Sequence, residues 1–277
     1  MRRYFNGLIL IGLLMQANFV LADIFRHQDA NGKISFSDQP SEHSTLVEEL
    51  PKTYRYKHQL KRIYDGDTIT LKNGDRVRLL GINTPEIESR HRQGEEGGQT
   101  AKQWLQAKLQ GGSVLLEYDR QKKDKYGRSL AHLFLESGEH INKQMLREGL
   151  ATLSIIPPNL HYLDELKKAE ALALQEGLGI WAMDSYQAIS INKLTVTSKK
   201  LGWQRFLATV SKIRTTRKYV RLVLSDKVDI RIPKDNVALF PDLESYLDKP
   251  LEIRGWASRT KDHYSILIRH PSAIILL

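Results

Sequence analysis

Within the 277 residues, the stretch Lys61–Glu86, KRIYDGDTITLKNGDRVRLLGINTPE, constrains the fold most. Two strand-like runs, Thr68–Leu71 and Val77–Ile82, flank Asn73-Gly74. That dipeptide is the strongest short-range hairpin signal, because both turn positions must accept positive φ. A hairpin here brings Asp67, just before the first strand, close to Asn83 and Thr84, just after the second. Arg78 stands within the second strand and Glu86 lies shortly beyond it. A carboxylate, an amide oxygen and a backbone carbonyl suit a hard, oxygen-seeking cation such as Ca²⁺. An arginine and a glutamate beside such a cation suit phosphodiester chemistry.

The pattern around this stretch predicts a mainly β domain with helices. Further strand candidates are His58–Tyr64, Val114–Tyr118 and Ser129–Leu135. Gln99–Leu109 places Ala101, Trp104, Leu105 and Leu109 on one helical face and ends at Gly111-Gly112. A second helix, Ile141–Glu148, closes at Gly149, and a third opens after Pro157-Pro158 with Asn159 as N-cap and runs to Gly177. Five strands with helices late in the order describe an OB-type barrel with helical additions. Arg90–Gly98, RHRQGEEGG, is glycine-rich and charged, which fits either a mobile loop at the mouth of the site or an ordinary connection.

Asp184–Lys200 is polar and reads as a linker. Beyond it come strand candidates Phe206–Ile213, Tyr219–Leu224 and Val228–Ile232, a helical patch at Asp235–Tyr246, then strands Leu251–Ala257 and Tyr264–Arg269. Three strands, a helix and two strands is the order of a second OB-like β-barrel over 201–277. Arg214, Arg217, Lys218 and Arg221, with Tyr219, Trp203 and Trp256, suit a basic groove with stacking platforms. The same residues also fit core aromatics under a solvated charged face.

The N-terminus carries an export signal. Arg2 and Arg3 form a basic n-region, Leu8–Met15 an apolar h-region, and Val20-Leu21-Ala22 a small-residue cleavage site before Asp23. The expected mature protein is therefore secreted or periplasmic, without stable membrane insertion after cleavage; an uncleaved anchor is the alternative. Residues 23–51 read as a small β-hairpin module and linker, with Asn31-Gly32 turning between Ile24–Arg26 and Lys33–Ser37. This module resembles one near the N-terminus of many exported Gram-negative proteins. With no cysteine, disulfides, zinc–thiolate sites and thiol catalysis are excluded. Lys+Arg 42 against Asp+Glu 32 gives a formal charge of +10, which favours polyanionic partners. None of the nine His has a spacing that marks a metal or triad site.

DGDT at Asp65–Thr68, VRLLGINTPE at Val77–Glu86 and DKYGR at Asp124–Arg128, in this order and spacing, resemble the staphylococcal nuclease (thermonuclease) family, with similarity from about Tyr56 to Trp181. The resemblance implies an OB barrel over 56–183 and a Ca²⁺-dependent endonuclease of DNA and RNA, with Mg²⁺ or Mn²⁺ as lesser candidates. It implies Asp67 as the principal carboxylate ligand, Thr84 as a carbonyl ligand, and Asn83 at the neighbouring metal position. Glu86 would activate the attacking water, Arg78 and Arg128 would clamp the phosphate, and Lys125 and Tyr126 would contact an adjacent phosphate. Read singly, Asp65 and Asp67 are turn acids, Glu86 a loop acid and Arg128 a strand-edge charge. Arg78 in an apolar strand must find an anionic partner or reach solvent.

Two positions depart from the family pattern. Asn83 stands where Asp is common, removing a negative charge and predicting weaker metal affinity. Ile155 and Ile156 stand where the best-known member has tyrosines flanking the nucleotide, so stacking there is lost unless Tyr162 substitutes. Two competing functions remain open at this stage. One is a non-catalytic nucleic-acid-binding protein of the cell envelope on the same fold, and the other an envelope interaction protein.

Overall fold

The computed structural model describes residues 24–28, 34–37, 41, 44–47, 54–88, 93–194 and 203–277. The signal features of residues 1–22, the Asn31-Gly32 turn and Arg90–Arg92 lie outside the described residues. The chain divides into two compact units, 1–53 and 54–277. No helix among the described residues is long and apolar enough to cross a membrane.

In the first unit, β1 (Ile24–Gln28) pairs antiparallel with β2 (Ile34–Ser37), as the hairpin reading expects. A third strand, β3 (Thr45–Val47), adds to the other edge of β1. The segment after the hairpin, Ser41–Lys52, reads from sequence as a linker, yet it supplies this strand through the short apolar, β-rich run Thr45-Leu46-Val47.

The second unit opens with β4 (Arg55–Ile63), β5 (Thr68–Leu71), β6 (Arg76–Leu79) and β7 (Gly81–Asn83). Then follow α1 (Gly98–Lys108), β8 (Ser113–Lys123), β9 (Ser129–Phe134), α2 (Ile141–Arg147), β10 (Thr152–Ser154) and α3 (Leu163–Gln175). The strands close into a five-stranded barrel in the order β4-β5-β6-β9-β8, with β6 and β9 parallel. Alternation along β5 and β6 sends Ile69, Leu71, Val77 and Leu79 into the core with Leu116 and Leu133, while Thr70, Arg76 and Arg78 stay outside. Burying these side chains, each worth about 1.5–3 kcal/mol, fixes the register, since a one-residue slip would turn them to water.

The strand expected over Val77–Ile82 breaks after Leu79. Gly81 takes φ +75°, and its Cα packs so close to Leu166 that no Cβ fits. The buried Asn142 side chain donates to Leu80 O (2.8 Å) and accepts from Leu133 N (2.9 Å), holding the bend against β9. β7 then leaves the barrel and pairs with β10, Asn83 opposite Thr152. The third helix also differs from expectation. Asn159 caps nothing; its side chain exchanges hydrogen bonds with the Gln121 backbone (2.7 and 3.0 Å), and the helix starts at Leu163 after Tyr162 at φ +61°.

Asp184–Leu194, expected as linker, is built into the unit. Two 3₁₀ turns flank β11 (Ile189–Ser190), which pairs parallel with β12 (Trp203–Thr209), and Tyr186, Ile191 and Leu194 are buried. Then come β13 (Lys212–Thr215), β14 (Tyr219–Ser225), β15 (Val228–Pro233), β16 (Pro250–Thr260), β17 (His263–Leu267) and β18 (Ile274–Leu276). The single strand expected over Phe206–Ile213 is split into β12 and β13. At the split, Val210 bridges to Leu247 and Ser211 N donates to Val223 O (2.9 Å). The helical patch at Asp235–Tyr246 is two 3₁₀ turns, Lys234–Leu239 and Leu243–Tyr246.

If β12 and β13 are counted as one bent strand, the pairing runs β13-β14-β15-β17-β16-β12, with β15 and β17 parallel. This repeats the first barrel strand for strand: one with two, two with three, three parallel to five, five with four, and four back to one. The two barrels meet across a shared cluster of Ala173, Ile180, Trp181, Tyr186 and Trp203. Trp203, considered above as a stacking platform, is buried there against Trp181 and Tyr186.

Candidate active site

The β5–β6 hairpin, expected from the sequence, and the β6–β7 bend, which was not, bring Asp67 together with Asn83 and Thr84. Thr68 pairs opposite Arg78, and Leu79 N donates to Asp67 O (2.8 Å), so Asp67 and Arg78 share one end of the outer barrel face. The Asp67 carboxylate is almost fully buried and ion-paired with Arg78 Nη1. It also accepts from Thr68 Oγ1 (3.0 Å) and from Thr84 N (2.9 Å), which clamps Thr84 beside it. Gly66 has no room for a Cβ, because the Thr84 side chain would lie 2.7 Å from it.

Arg78 reaches further. Its Nη2 donates to Ile82 O (3.1 Å) and to Asn83 Oδ1 (2.9 Å). Burial lowers its pKa to about 10, against the pull of Asp65, so it remains charged at neutral pH. Asp65, which receives the Asp67 N–H at 3.0 Å, is pushed up by burial, with Arg78 opposing. Asn83 completes the cluster by donating from Nδ2 to Thr84 O at 3.1 Å. Its oxygen thus faces Arg78, and its amide covers the carbonyl expected to bind metal.

Glu86 lies half-buried past Pro85, and its loop is tied at both ends. Glu86 N donates to Glu95 Oε2 (3.1 Å) and Glu95 N donates to Glu86 O (2.7 Å). A Cβ on Gly98 would lie 2.6 Å from Glu86 O, so the start of α1 can approach this loop only with glycine. The segment left open between a mobile loop and an ordinary connection is therefore anchored at its 95–98 end.

Arg128 arrives from the turn before β9. Asp124 accepts from Arg128 Nε (2.7 Å), Arg128 N (2.9 Å) and Tyr126 N (2.9 Å), and against the cost of burial these contacts hold its carboxyl below the usual range. Val77 pairs opposite Ser129, which sets this turn beside β6. Between the two turns lies a groove of about 460 Å³ lined by Arg76, exposed Tyr126 and Arg128. Lys125 and Arg128 both lie over the Tyr126 ring, at 4.9 and 5.7 Å. Asp65 and Asp124 open the DGDT and DKYGR motifs but carry no role at the site in that reading, and Glu95 and Arg76 lie outside the motifs with no local signal. Tyr162 does not replace the missing tyrosines: its ring stacks on His161 at 4.0 Å, within a cluster that includes His132 and His140.

The donors beside Arg78 are hard oxygens, the Asp67 carboxylate and Thr84 carbonyl, with Asp65 behind them. They fit an oxygen-seeking dication that keeps several of its waters. No group of three or more His, Cys, Asp or Glu arranged for a metal occurs among the described residues.

A barrel closed 1-2-3-5-4 with this acid–arginine cluster at one mouth defines a nuclease-type OB fold. The family model "Staphylococcal nuclease homologue" matches residues 76–183. The "Thermonuclease" of Staphylococcus intermedius is 36% identical over 178 residues, spanning 62% of this chain and 97% of that protein. "Endonuclease YncB" of Bacillus subtilis (strain 168) is 32% identical over 173 residues, spanning 58% and 82%. "SPbeta prophage-derived endonuclease YokF" of the same organism is 36% identical over 132 residues, spanning 46% and 44%. The chain belongs to the staphylococcal nuclease family.

Proposed function

We propose that this protein is an exported, metal-dependent endonuclease that hydrolyses phosphodiester bonds of DNA and RNA, with Ca²⁺ as the favoured ion. One observation carries the reading: the fold gathers Asp67, Arg78 and Thr84 into one bonded cluster, with Glu86 and Arg128 delivered to the same mouth by anchored turns. Asp67 and Thr84 O would hold the ion, with Asn83 beside them; when bound, it supplies positive charge to a phosphoryl oxygen. Arg78 and Arg128 place planar donor forks on the remaining oxygens and never lose charge at working pH. Glu86 orients a water and accepts its proton as the oxygen attacks phosphorus. The P–O5′ bond breaks, the 5′-oxygen takes a proton from solvent water and leaves as hydroxyl, and the new P–O bond leaves a 3′-phosphate end. Lys125 and Tyr126 steady the neighbouring phosphate across the groove with Arg128.

A second reading has one observation in its favour. Asn83 Nδ2 occupies Thr84 O, so a protein that binds but does not cut nucleic acid fits this chain better than it would fit one with Asp at that position. Digestion of single- and double-stranded DNA with Ca²⁺, Mg²⁺ or chelator, with Glu86→Ala in parallel, separates the two. Ca²⁺-dependent cleavage that falls by about a hundredfold or more in the variant is expected, as for loss of a general base. Absence of cleavage with every metal, alongside salt-sensitive DNA retention, would establish the binder.

A further inference from the structure

The second barrel repeats the strand pairing of the first, and it also repeats its arginine. In the nuclease barrel, Arg78 stands on the outer face of the third strand, in one row with Thr68 of the second and Leu130 of the fifth. In the C-terminal sheet, Arg231 on the third strand lies in one row with Arg221 of the second and Leu267 of the fifth. The row continues to Arg214 of β13, which pairs with Arg221. Three guanidinium side chains thus follow one another across three adjacent strands on the outer face, about 4.8 Å apart from strand to strand.

Like charges in such a row are held together only with compensation. Asp229 supplies part of it by pairing with Arg221, and Ser265 Oγ donates to Asp229 at 2.7 Å. The Nε atoms of Arg221 and Arg231 nevertheless stay buried without a hydrogen-bond partner among the described residues. A buried donor of this kind carries a desolvation cost until an acceptor arrives. Next to the row, Arg231 lies over the Tyr219 ring at 5.6 Å. A cavity of about 450 Å³ opens beside Tyr219, lined by Arg217, Lys218, Lys234, Asp235 and Arg269. The opposite part of the sheet, where Trp203 and Arg254 sit, is covered by the nuclease domain, so the arginine face is the one left to solvent.

We propose that the outer face of β13, β14, β15 and β17 binds single-stranded nucleic acid, with phosphates on Arg214, Arg221 and Arg231 and a base at Tyr219. Arginine forks match phosphate oxygens in pairs, and an unpaired base offers the flat face that a tyrosine stacks against. Among the described residues Asp229 is the sole carboxylate paired into the row, and Arg221 and His263 already engage it, so this face is assigned to holding a strand rather than cutting it. It goes beyond the nuclease site, and its binding test stands whether or not the chain cleaves.

The test is fluorescence anisotropy of the full chain with a labelled oligothymidylate about 20 nucleotides long, in chelator so that no cleavage occurs. For Tyr219→Ala, Kd is expected to rise about tenfold, the size of one lost stacking contact, and for R214A/R231A, which loses two phosphate contacts, by more than that. The salt slope of the arginine double variant should flatten by about 1.4, from 0.7 for each phosphate released. The kcat/KM on a long single strand should fall relative to that on a single-nucleotide nitrophenyl diester. Arg214→Glu, on an exposed side chain, gives a second variant if R214A/R231A is poorly folded. Unchanged Kd and slope in folded variants would overturn the proposal, as would equal affinity for duplex and single strand. So would a dependence on these arginines for vesicles of anionic lipid but not for the oligonucleotide. Binding that behaves as expected in a chain that cleaves nothing would remove the nuclease reading and leave this one standing.

Discussion

Asn83 shows how one side chain sets the temper of a site. Its oxygen accepts from Arg78 and its amide donates to Thr84 O, so one neutral residue links the proposed phosphate clamp to the carbonyl proposed to face the metal. Asn83→Asp keeps the acceptor for Arg78, removes the donor from Thr84 O and adds a negative charge. The Kd for Ca²⁺, measured by calorimetry, is expected to drop by about tenfold or more, as one added charge near a dication implies. Cleavage at limiting Ca²⁺ should rise with it. An unchanged Ca²⁺ affinity would mean that Asn83 lies outside the ion's reach. Glu95 offers a second residue-scale test, since it holds the Glu86 loop through its carboxylate and backbone. Glu95→Ala should lower kcat with little change in the unfolding midpoint, while Glu95→Gln, which retains an acceptor oxygen, should recover most of the rate. Equal loss in both variants would assign Glu95 a charge role instead.

Among the elements, β9 and the start of α2 carry a liability at low pH. His132 and His140 are buried side by side, Nδ1 to Nε2 at 3.2 Å, with His140 stacked on Phe134. Burial lowers their pKa values to about 3 and about 2; Asp119 pulls His132 upward, while His161, Lys143 and Arg55 press the pair further down. The unfolded chain takes up these protons near pH 6.5 and the folded chain does not, so stability is complete above that pH. It falls as pH drops toward 3, by up to about 1.4 kcal/mol per pH unit for each proton. Urea midpoints at pH 7.5, 5.5 and 4.5 should show this fall, and His132→Gln should flatten it. The sequence gives no hint of this pair beyond two histidines eight apart, because its environment is made by elements remote in the chain. The same distinction governs the rest. The Asn73-Gly74 hairpin, the ends of β5 and the positions of α1 and α2 were legible, since a turn dipeptide and a periodic apolar face are local signals. The break between β6 and β7 was not, because VRLLGI reads as one strand and only Asn142 and Leu166, far along the chain, impose the bend. Asp184–Leu194 was misread, and Trp203 left open between stacking platform and core, for a related reason: polarity and aromaticity suit a surface, and only the second barrel buries them. The approach of Asp67 to Asn83 and Thr84 was legible from the spacing of the hairpin, whereas Glu95, which ties the Glu86 loop, is defined by contacts across a turn.

At the scale of the whole molecule, the two barrels are joined by a buried chain of charges that ends at the site. Arg205 and Arg254 hold Glu252 from both sides (2.6 Å each), and Arg254 Nη1 also donates to Glu170 of α3 at 2.7 Å. Glu170 is buried, which pushes its carboxyl up while Arg254 pulls against this; its other oxygen accepts from Leu153 N of β10 at 2.6 Å. β10 in turn pairs with β7, placing Thr152 opposite Asn83, where Thr152 Oγ1 donates to Asn83 O (3.2 Å). The second barrel therefore supplies the cation that lets a carboxylate hold the strand behind the loop proposed to face the metal. Arg254→Met leaves Glu170 buried without its partner, and breaking such a pair costs about 3–5 kcal/mol. Glu170→Gln on that background keeps an acceptor for Leu153 N and removes the stranded charge, so urea unfolding of the double variant should recover part of the loss. The coupling expected from the cycle is about 1–3 kcal/mol, and additive effects would show that the two groups act apart. Because β10 braces Asn83, Arg254→Met should also weaken cleavage under conditions where the variant stays fully folded, and Glu170→Gln should restore it in parallel with stability. Lost stability with wild-type cleavage would confine the ion pair to holding the barrels together, with no reach into the site.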